Sequence, residues 1–498
     1  MRYQVVIPMT GVGQRFVDAG YKNLKPLIHV GGMSIVAHVL EMFKGAQKIV
    51  CIISSEHEQR DRLVSEILRF RPDATISQIP GHKLGPGHAI LQAVKDIDPT
   101  LPTLVSYCDW AGEWCVSDML TQLQDYTGSI LTYTGFHPHM MRSTKFAYVR
   151  KIDNLVVDIK EKESFTITPR DEEASSGCYG FATGALLLEA LQLQLDENEN
   201  LNGEYYLSLT YKNLLRRGYK VGTVLMGKFY QWGTPEDLQD WEYWNSSINS
   251  LPGLVKKRLK VHNVILAAGL GTRIVEFAHQ SKPNINISGQ CLWEYSAPRG
   301  IVFESSWVVT REEVGISTRG DIQKVTIPYV TEGQAITAKI GIEKINEYSS
   351  DPVNVLSSDN AFTPEVFALA AELAFENHLV VWTSRRYPLA QLIPNQYAWL
   401  NMKLRTVIKK QVPPNFLDWQ LVTGNFTFSN RKIALSLIQE LENKNIRVKN
   451  EFYLDSLIDI AFERELNVAT VEIPNFIAIG TPEELLTYQY FRNESRNG

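Results

Sequence analysis

The chain has 498 residues, of which 44% are hydrophobic and 21% are charged, and its formal net charge is -5. A chain of this length exceeds what one hydrophobic core normally organises, so we expect two domains of about 240 residues. This composition is typical of a soluble globular protein and does not favour binding to nucleic acid.

The five cysteines form no CxxC pair, and no histidine cluster has the spacing of a zinc site. The N-terminus lacks the pattern of a signal peptide, and no apolar run approaches the ~20 residues of a membrane helix. We therefore expect a cytoplasmic protein without a membrane segment.

Apolar, β-branched stretches alternate with helical patterns through the first half. Strands are predicted over 4–8, 48–53, 103–107 and 129–134, and helices over 33–44, 57–70 and 86–97. This alternation is typical of βαβ units, in which parallel strands are covered by helices on both faces. The segment 146–162 alternates like antiparallel strands and fits a substrate-side subdomain.

The first predicted strand ends in a glycine turn that carries basic residues. Gly11 and Gly13 precede Arg15, and Lys25 follows in a Lys-Pro pair. Backbone N–H groups of such a turn can surround phosphate oxygens while the two cations neutralise their charge. A structural turn with surface cations is the alternative. Recurrence of the whole pattern later in the chain favours a phosphate site.

Two other residues stand at the ends of predicted strands. Asp109 would project from the carboxyl edge of a parallel sheet, where ligand sites lie and where a carboxylate can hold Mg²⁺. Its alternative role is to cap a helix. Lys162, after Glu161, would be another cation directed at phosphate, although most lysines in such places are simply solvated.

The second half repeats these landmarks in the same order. The glycine turn recurs as Gly269, Gly271 and Arg273, and Lys282 lies in the second Lys-Pro pair. The other paired segments are 84–90 with 332–338, 107–110 with 357–360, 145–149 with 396–400, 175–184 with 422–430, 202–209 with 449–456, and 232–238 with 479–485. Asp359 and Glu451 thereby match Asp109 and Glu204. We predict tandem α/β domains over 1–246 and 261–498, joined by a linker over 247–260 that contains Pro, Gly and a basic cluster.

These motifs resemble those of the sugar nucleotidyltransferases, also called NDP-sugar pyrophosphorylases, whose signature is GxGxR followed by KP. The resemblance extends over both halves. It implies two Rossmann-like nucleotidyltransferase domains, each with a mixed, mostly parallel sheet flanked by helices.

The resemblance also implies a role for each matching residue. Those lining the triphosphate would be Gly11, Gly13, Arg15 and Lys25, and those meeting the nucleobase would be Gly85, Gly87, His88 and Ala89. Asp109 would hold Mg²⁺, Lys162 would face the sugar phosphate, and Gly177, Glu204 and Tyr205 would approach the sugar. The predicted catalytic residues are Arg15, Lys25, Asp109 and Lys162.

The chain departs from the family pattern at two places. Family members usually have a second metal-binding Asp two residues before the final Gly-Thr, where this chain has Gln231 and, in the second half, Ala478. Alignment of 159–162 with 408–411 sets Gln411 opposite Lys162, with Lys410 beside it as a substitute. We therefore expect the first domain to perform the chemistry and the second to be degenerate or regulatory.

The predicted reaction transfers a nucleoside monophosphate from an NTP to a sugar phosphate or similar small phosphate and releases pyrophosphate, for synthesis of a polysaccharide or capsule precursor. Alternatives left open are two active sites in series, a second half that only senses nucleotide or sugar, phosphocholine with CTP as the substrates, and a protein without catalysis. The sequence does not identify the nucleobase of the NTP or the acceptor phosphate. It also leaves open whether Gln231 binds the metal and whether the protein forms a homo-oligomer.

Overall fold

The chain forms two compact units that divide between Glu242 and Tyr243. The structure is a computed structural model, and it describes residues 1–251 and 255–492. Each unit is built from alternating strands and helices.

The first unit begins with an apolar strand and ends with a long helix. Its strands are β1 (Gln4–Met9), β2 (His29–Val30), β3 (Met33–Ser34), β4 (Lys48–Ser54), β5 (Thr75–Ile79), β6 (Thr103–Ser106), β7 (Trp110–Glu113), β8 (Gly128–Tyr133), β9 (Tyr148–Ile152), β10 (Leu155–Lys160), β11 (Glu173–Phe181), β12 (Val221–Leu225) and β13 (Lys228–Gln231). Its helices are α1 (Gln14–Asp18), α2 (Ile35–Met42), α3 (Arg60–Phe70), α4 (Gly85–Gln92), α5 (Val116–Asp125), α6 (Gly184–Asp196), α7 (Leu207–Arg216) and α8 (Pro235–Ser250), which continues past the division.

The main sheet of this unit has the order β5-β4-β1-β6-β11-β8-β12, and β9 and β10 extend it beside β11. The pairs of β1 with β4 and β6, of β4 with β5, and of β8 with β12 are parallel, whereas β11 is antiparallel to its neighbours. Parallel neighbours need crossover connections, which α2, α3 and α4 supply. The carboxyl ends of β1 and β6 therefore lie side by side, and the loops after them meet.

Both faces of this sheet are buried, as alternate residues of β1 show. Val5 and Ile7 belong to one apolar cluster, and Val6 belongs to the other. Because successive side chains of a strand point to opposite faces, a strand covered on both sides needs a continuous apolar run. That requirement explains the sequence QVVIPM.

The second unit repeats this architecture. Its strands are β14 (Lys257–Ala267), β15 (Asn286–Ile287), β16 (Gln290–Cys291), β17 (Ile301–Arg311), β18 (Gln323–Ile327), β19 (Val353–Ser357), β20 (Asn360–Ala361), β21 (Leu379–Ser384), β22 (Ala398–Asn401), β23 (Thr406–Lys409), β24 (Gln420–Phe428), β25 (Val468–Glu472) and β26 (Ile477–Ala478). Its helices are α9 (Thr272–Ala278), α10 (Gln334–Ile342), α11 (Val366–Ala374), α12 (Pro388–Leu392), α13 (Arg431–Asn443), α14 (Ser456–Glu463) and α15 (Pro482–Arg492).

The two sheets have the same topology. The second follows the order β18-β17-β14-β19-β24-β21-β25, with β22 paired to both β23 and β24. Within the described ranges each unit has thirteen strands, and each strand of the second unit takes the place of the strand thirteen before it. The predicted fold class, two tandem mixed sheets flanked by helices, is confirmed.

The segment 247–260 differs from the linker that its composition predicts. α8 ends at Ser250 and β14 begins at Lys257, so much of the segment is helix or strand, and residues 252–254 lie outside the described residues. Part of the basic cluster lies in β14, because Lys257 and Arg258 pair with Ile301 and Val302 of β17. No helix in residues 1–251 and 255–492 is long and apolar enough to cross a membrane.

Candidate active site

The glycine turn after β1 packs directly on Lys25. Gly13 precedes α1 with φ of 69°, in the left-handed region that glycine tolerates best. A Cβ atom added to Gly13 would lie 3.1 Å from Cβ of Lys25, whereas Gly11 has open space around it. The turn therefore fixes the position of Lys25 by close backbone approach.

Lys25 forms an ion pair with Asp109 at the carboxyl edge of the sheet. Its Nζ lies 2.6 Å from Asp109 Oδ2, and the two side chains are 16% and 31% exposed. Asp109 follows β6, next to the end of β1, so the topology brings these residues together from distant places in the sequence. The other carboxylate oxygen, Oδ1, accepts no hydrogen bond from the described residues.

Gln231 lies beside this pair. A Cβ atom added to Gly233 would be 3.0 Å from Nε2 of Gln231 and 3.6 Å from Oδ2 of Asp109. The amide and the carboxylate therefore flank the same point. No cluster of three His, Cys, Asp or Glu residues suited to a metal ion occurs in the described part of the chain.

A further cation of the site, Lys162, is held by Tyr206. Lys162 follows β10 with φ of 59°. Its Nζ lies 2.6 Å from the Tyr206 hydroxyl and 4.3 Å from the centre of the ring. Burial raises the pKa of Tyr206 and nearby Glu204 raises it further, while the Arg15 guanidinium opposes the change. Arg15, Glu204 and Lys162 therefore all interact with the Tyr206 hydroxyl, by charge or by hydrogen bond.

Tyr206 is a residue that sequence reasoning missed. The predicted residue, Tyr205, donates its hydroxyl to Asn198 Oδ1 at 3.0 Å, within its own loop. The signal was present, because both halves keep the second aromatic residue as Tyr206 and Tyr453, whereas Tyr205 becomes Phe452.

The predicted nucleobase loop is held against Tyr205 by two backbone bonds. Tyr205 N donates to Leu84 O at 2.9 Å, and Gly87 N donates to Tyr205 O at 2.9 Å. Gly85 has φ of 84°, and a Cβ atom there would lie 2.9 Å from Tyr205 N. Ala89 is fully buried in the apolar core, so its side chain does not face the loop.

His88 packs against His82 near this loop, with ring centroids 4.7 Å apart. Burial lowers the pKa of both imidazoles, which favours their neutral forms. Gly177 lies on β11 at the other side of Tyr107, whose backbone N donates to Gly177 O at 3.0 Å. With φ of 89° and a prospective Cβ contact of 2.8 Å to the Tyr107 ring, Gly177 is required by close packing.

The second unit repeats the glycine turn and the ion pair. Gly271 has φ of 58°, and a Cβ atom there would lie 3.3 Å from Cβ of Lys282. Lys282 Nζ pairs with Asp359 Oδ2, as Lys25 pairs with Asp109. One difference affects metal binding, because Ser357 also donates its hydroxyl to the remaining oxygen of Asp359.

The loop before α10 also repeats its partner in the first unit. Phe452 N donates to Glu332 O at 2.8 Å, and Ala335 N donates to Phe452 O at 3.0 Å. These are the counterparts of the two backbone bonds around Tyr205, and they set Glu451 at the place of Glu204.

Lys410, rather than Gln411, is the structural counterpart of Lys162. Both lysines have left-handed backbone, with φ of 55° at Lys410 and 59° at Lys162. Each ammonium also lies over a tyrosine ring, 5.6 Å from the centre of Tyr453 in the second unit and 4.3 Å from that of Tyr206 in the first.

The strand pairing gives the same register. Val149 pairs with Ile159 in the first unit and Leu400 pairs with Val407 in the second, and in each case the lysine follows three residues later. The sequence alignment that set Gln411 opposite Lys162 is therefore wrong by one residue. The two hairpins differ in turn length, and β10 contains a bulge that β23 lacks, so matching the Ile-Lys pairs at 159–160 and 408–409 gave the wrong register.

Next to each site a buried acidic residue begins the last helix. In the first unit Asp237 accepts a hydrogen bond from the Thr234 hydroxyl at 2.9 Å, and burial raises its pKa to about 7. In the second unit Glu484 is 1% exposed and accepts hydrogen bonds from the backbone N–H groups of Gly480 and Thr481, at 2.5 and 2.8 Å.

The second unit contains a cavity of about 450 Å³ between these groups, lined among others by Gly271, Arg273, Lys282, Lys410 and Asp455. A sheet of this topology, with a glycine turn and fixed cations at its carboxyl edge, places both units among the α/β domains suited to phosphorylated small molecules.

Residues 4–245 match the sequence family described as Nucleotidyl transferase. The first unit therefore belongs to the nucleotidyl transferase family, and the second unit repeats its fold.

Two relatives are identical to this chain at about a quarter of the aligned positions. Bifunctional protein GlmU of Burkholderia vietnamiensis is 25% identical over 341 residues, or 67% of this chain and 68% of that protein. The protein of the same name from Paraburkholderia phytofirmans is 27% identical over 350 residues, or 68% of this chain and 69% of the relative. A solved nucleoside-diphosphate-sugar pyrophosphorylase from Vibrio cholerae RC9 is 18% identical with a TM-score of 0.42, covering 47% of this chain and 98% of that one.

Proposed function

We propose that the first domain transfers a nucleoside monophosphate from a nucleoside triphosphate to a sugar phosphate, and that its product is a precursor of a polysaccharide or capsule. Membership of the nucleotidyl transferase family supports the type of reaction. The observation that carries the proposal is the Lys25–Asp109 pair, which sets a cation and a carboxylate beside the glycine turn.

In the proposed reaction, an oxygen of the acceptor phosphate attacks the α-phosphorus of the triphosphate. The bond between the α-phosphorus and the bridging oxygen breaks, and pyrophosphate leaves with that oxygen. The attacking oxygen is already an anion, so no covalent enzyme intermediate is needed. The protein supplies alignment and charge neutralisation, which are the main contributions to phosphoryl transfer.

We assign Arg15 and Lys25 to the triphosphate and Lys162 to the acceptor phosphate. Arg15 is exposed and has no ion pair with a carboxylate of the described residues, so its charge is available to a ligand. The backbone of Gly11 and Gly13 would surround the phosphate oxygens between these cations.

The residues around Asp109 fit a magnesium ion bound together with the triphosphate. Mg²⁺ commonly takes one or two protein carboxylates and completes its shell with water and substrate phosphates. Asp109 offers its free Oδ1, and the side-chain oxygen of Gln231 is the second candidate ligand. When bound, the ion would neutralise charge on the departing pyrophosphate.

The part of the site assigned to the acceptor, around Lys162 and Tyr206, favours a sugar phosphate over phosphocholine. A quaternary ammonium group is best received by an exposed aromatic face. At this end the face of Tyr206 already carries the Lys162 ammonium. Glu204 and the backbone near Gly177 are assigned to sugar hydroxyls, and the loop of Gly85, Gly87 and His88 to the nucleobase.

The proposal is tested by measuring pyrophosphate release with each of the four NTPs and a panel of sugar phosphates, with phosphocholine included. We expect one pair of substrates to give turnover, Asp109→Ala to abolish it, and Asp359→Ala to retain it. Asp125→Asn is a matched control, because this carboxylate is exposed on α5 and forms no ion pair within the described residues. Unchanged turnover in Asp109→Ala would contradict the assignment of the first domain.

A further inference from the structure

The cavity of the second unit contains two cations, Arg273 and Lys410, that both donate a hydrogen bond to the uncharged residue Gln396. Arg273 donates a hydrogen bond to the neutral side chain of Gln396 at 2.8 Å, and Lys410 donates to the backbone carbonyl of the same residue. Neither cation has an ion pair with a carboxylate among residues 1–251 and 255–492. Burial lowers the pKa of Lys410, the Asp455 carboxylate opposes this change, and the nearby Arg273 charge lowers the pKa further. Two neighbouring cations in one cavity are stabilised by an anion between them.

Asp455 lines the same cavity with a carboxylate that accepts no hydrogen bond from the described residues. It is 9% exposed, yet its side chain makes no hydrogen bond or ion pair within the part of the chain that the structure describes. Asp455 stands at the N-cap position of α14, where an aspartate normally accepts a backbone hydrogen bond, but it makes no such bond. Lys410 and Lys409 attract this carboxylate from beyond ion-pair distance, and burial still raises its pKa. A buried carboxylate that accepts no hydrogen bond is unfavourable, so it marks a place where a ligand donates one.

The first unit arranges this corner differently. Ser208 occupies the place of Asp455, and its hydroxyl donates to Glu161 Oε2 at 2.6 Å. The place of Glu161 is taken by Lys409, which pairs with Asp459. The acidic group of the first unit is therefore already satisfied by the protein, whereas that of the second unit is open to the cavity.

We propose that the second domain binds a phosphorylated compound that carries hydroxyl groups, of the class of a nucleotide or a sugar phosphate. Its phosphate groups lie between the glycine turn, Arg273, Lys282 and Lys410, and a ligand hydroxyl donates to Asp455. This site is separate from the proposed active site of the first domain, and the inference does not depend on that proposal. Both oxygens of Asp359 are engaged by protein donors and Ala478 replaces Gln231, so the second site is suited to binding rather than to metal-dependent chemistry.

Calorimetric titration of the full-length protein tests this proposal. The probes are inorganic pyrophosphate, the four NTPs and glucose 1-phosphate. We expect at least one hydroxylated probe to show a binding equivalent that Lys410→Gln weakens tenfold or more, as for loss of a charge-assisted hydrogen bond. Lys403→Gln is the matched control, since Lys403 is exposed at the turn of the same hairpin and does not line the cavity.

Asp455 variants identify the hydroxyl contact. Asp455→Ala should weaken the hydroxylated probe by about tenfold and leave pyrophosphate binding unchanged or tighter, because pyrophosphate has no carbon-bound hydroxyl and is repelled by the carboxylate. Asp455→Asn keeps an acceptor oxygen and should restore part of the affinity. No cap bond is lost in either variant, and urea unfolding checks that both remain folded.

Two results would overturn the proposal. The first is the absence of any probe whose binding depends on Lys410. The second is an equal loss of pyrophosphate and of the hydroxylated probe in Asp455→Ala. If the first domain did not bind nucleotide, the titration would instead lack the binding equivalent whose affinity Lys410→Gln does not change. The two proposals can therefore be refuted separately.

Discussion

Replacing Lys25 by glutamine should remove catalysis while leaving the fold almost intact. The variant deletes a cation that lies 2.6 Å from Asp109 and packs against the glycine turn, but it keeps most of the side-chain volume. In our account this ammonium neutralises charge on the triphosphate as the bond to pyrophosphate breaks. Loss of one such fixed donor typically lowers kcat by about 10²–10³-fold, or roughly 3–4 kcal/mol of transition-state stabilisation.

The loss of folding stability should be much smaller. At an effective dielectric constant of about 20, the direct attraction between charges at this separation is about 6 kcal/mol, but desolvation of both groups offsets most of it. Asp109 is 31% exposed, so water can hydrate the carboxylate left behind. We expect the free energy of unfolding to fall by about 1 kcal/mol.

The assay pairs steady-state pyrophosphate release with urea unfolding. Lys282→Gln removes the equivalent cation of the second unit and should keep turnover within about threefold of the wild type. Lys95→Gln controls for loss of an exposed lysine on the first unit. The reasoning is refuted if Lys25→Gln retains activity within threefold, or if a large loss of stability accounts for its inactivity.

Three further predictions concern other residues of the first unit. Gly85→Ala should lower the free energy of unfolding by about 2 kcal/mol or more, because the left-handed backbone at Gly85 and its 2.9 Å approach to Tyr205 N both disfavour a side chain. Gly218→Ala is the control, since Gly218 has a similar φ but open space around it, and should lose only about 1 kcal/mol in urea unfolding. Equal losses in the two variants would contradict this interpretation. The raised pKa of Asp237, about 7, means that the folded state holds its proton more tightly than the unfolded state, so its contribution to stability falls as pH rises from about 4 to about 7. The free energy of unfolding of Asp237→Asn should therefore equal that of the wild type near pH 4 and exceed it above pH 7 by at most about 4 kcal/mol. A difference between the two proteins that does not change with pH would contradict this prediction. Lys162→Gln should raise KM for the acceptor phosphate by about tenfold with little change in KM for the NTP, and the reverse pattern would move Lys162 to the nucleotide side.

The sequence predicted the parallel core because its strands are buried on both faces. A continuous apolar run such as that from Val5 to Met9 is typical of a strand that is buried on both faces. The glycine turn after it requires a left-handed residue, which Gly13 provides. The duplication then identified the second unit without further information. The sequence also predicted Asp109 at the carboxyl edge of this sheet and Lys25 near the glycine turn, but the ion pair that joins them was seen only in the structure.

The sequence did not predict contacts that depend on register or on side-chain direction. The two hairpins differ in length and only β10 contains a bulge, so matching their Ile-Lys pairs hid the equivalence of Lys410 with Lys162. Tyr205 and Tyr206 are adjacent, and the local backbone decides which hydroxyl reaches Lys162, although the repeat, which keeps only the second tyrosine, gave a signal that was missed. The same holds for Ala89, whose helical position turns its side chain into the core.

Transfer of label from an NTP carrying ³²P at the α-phosphate to a sugar phosphate tests the central claim most directly. The account predicts a labelled nucleotide-sugar product with the wild type, and none with Asp109→Asn, while the Asp359→Asn variant still forms product. Labelled product from Asp109→Asn at the rate of the wild type would contradict it.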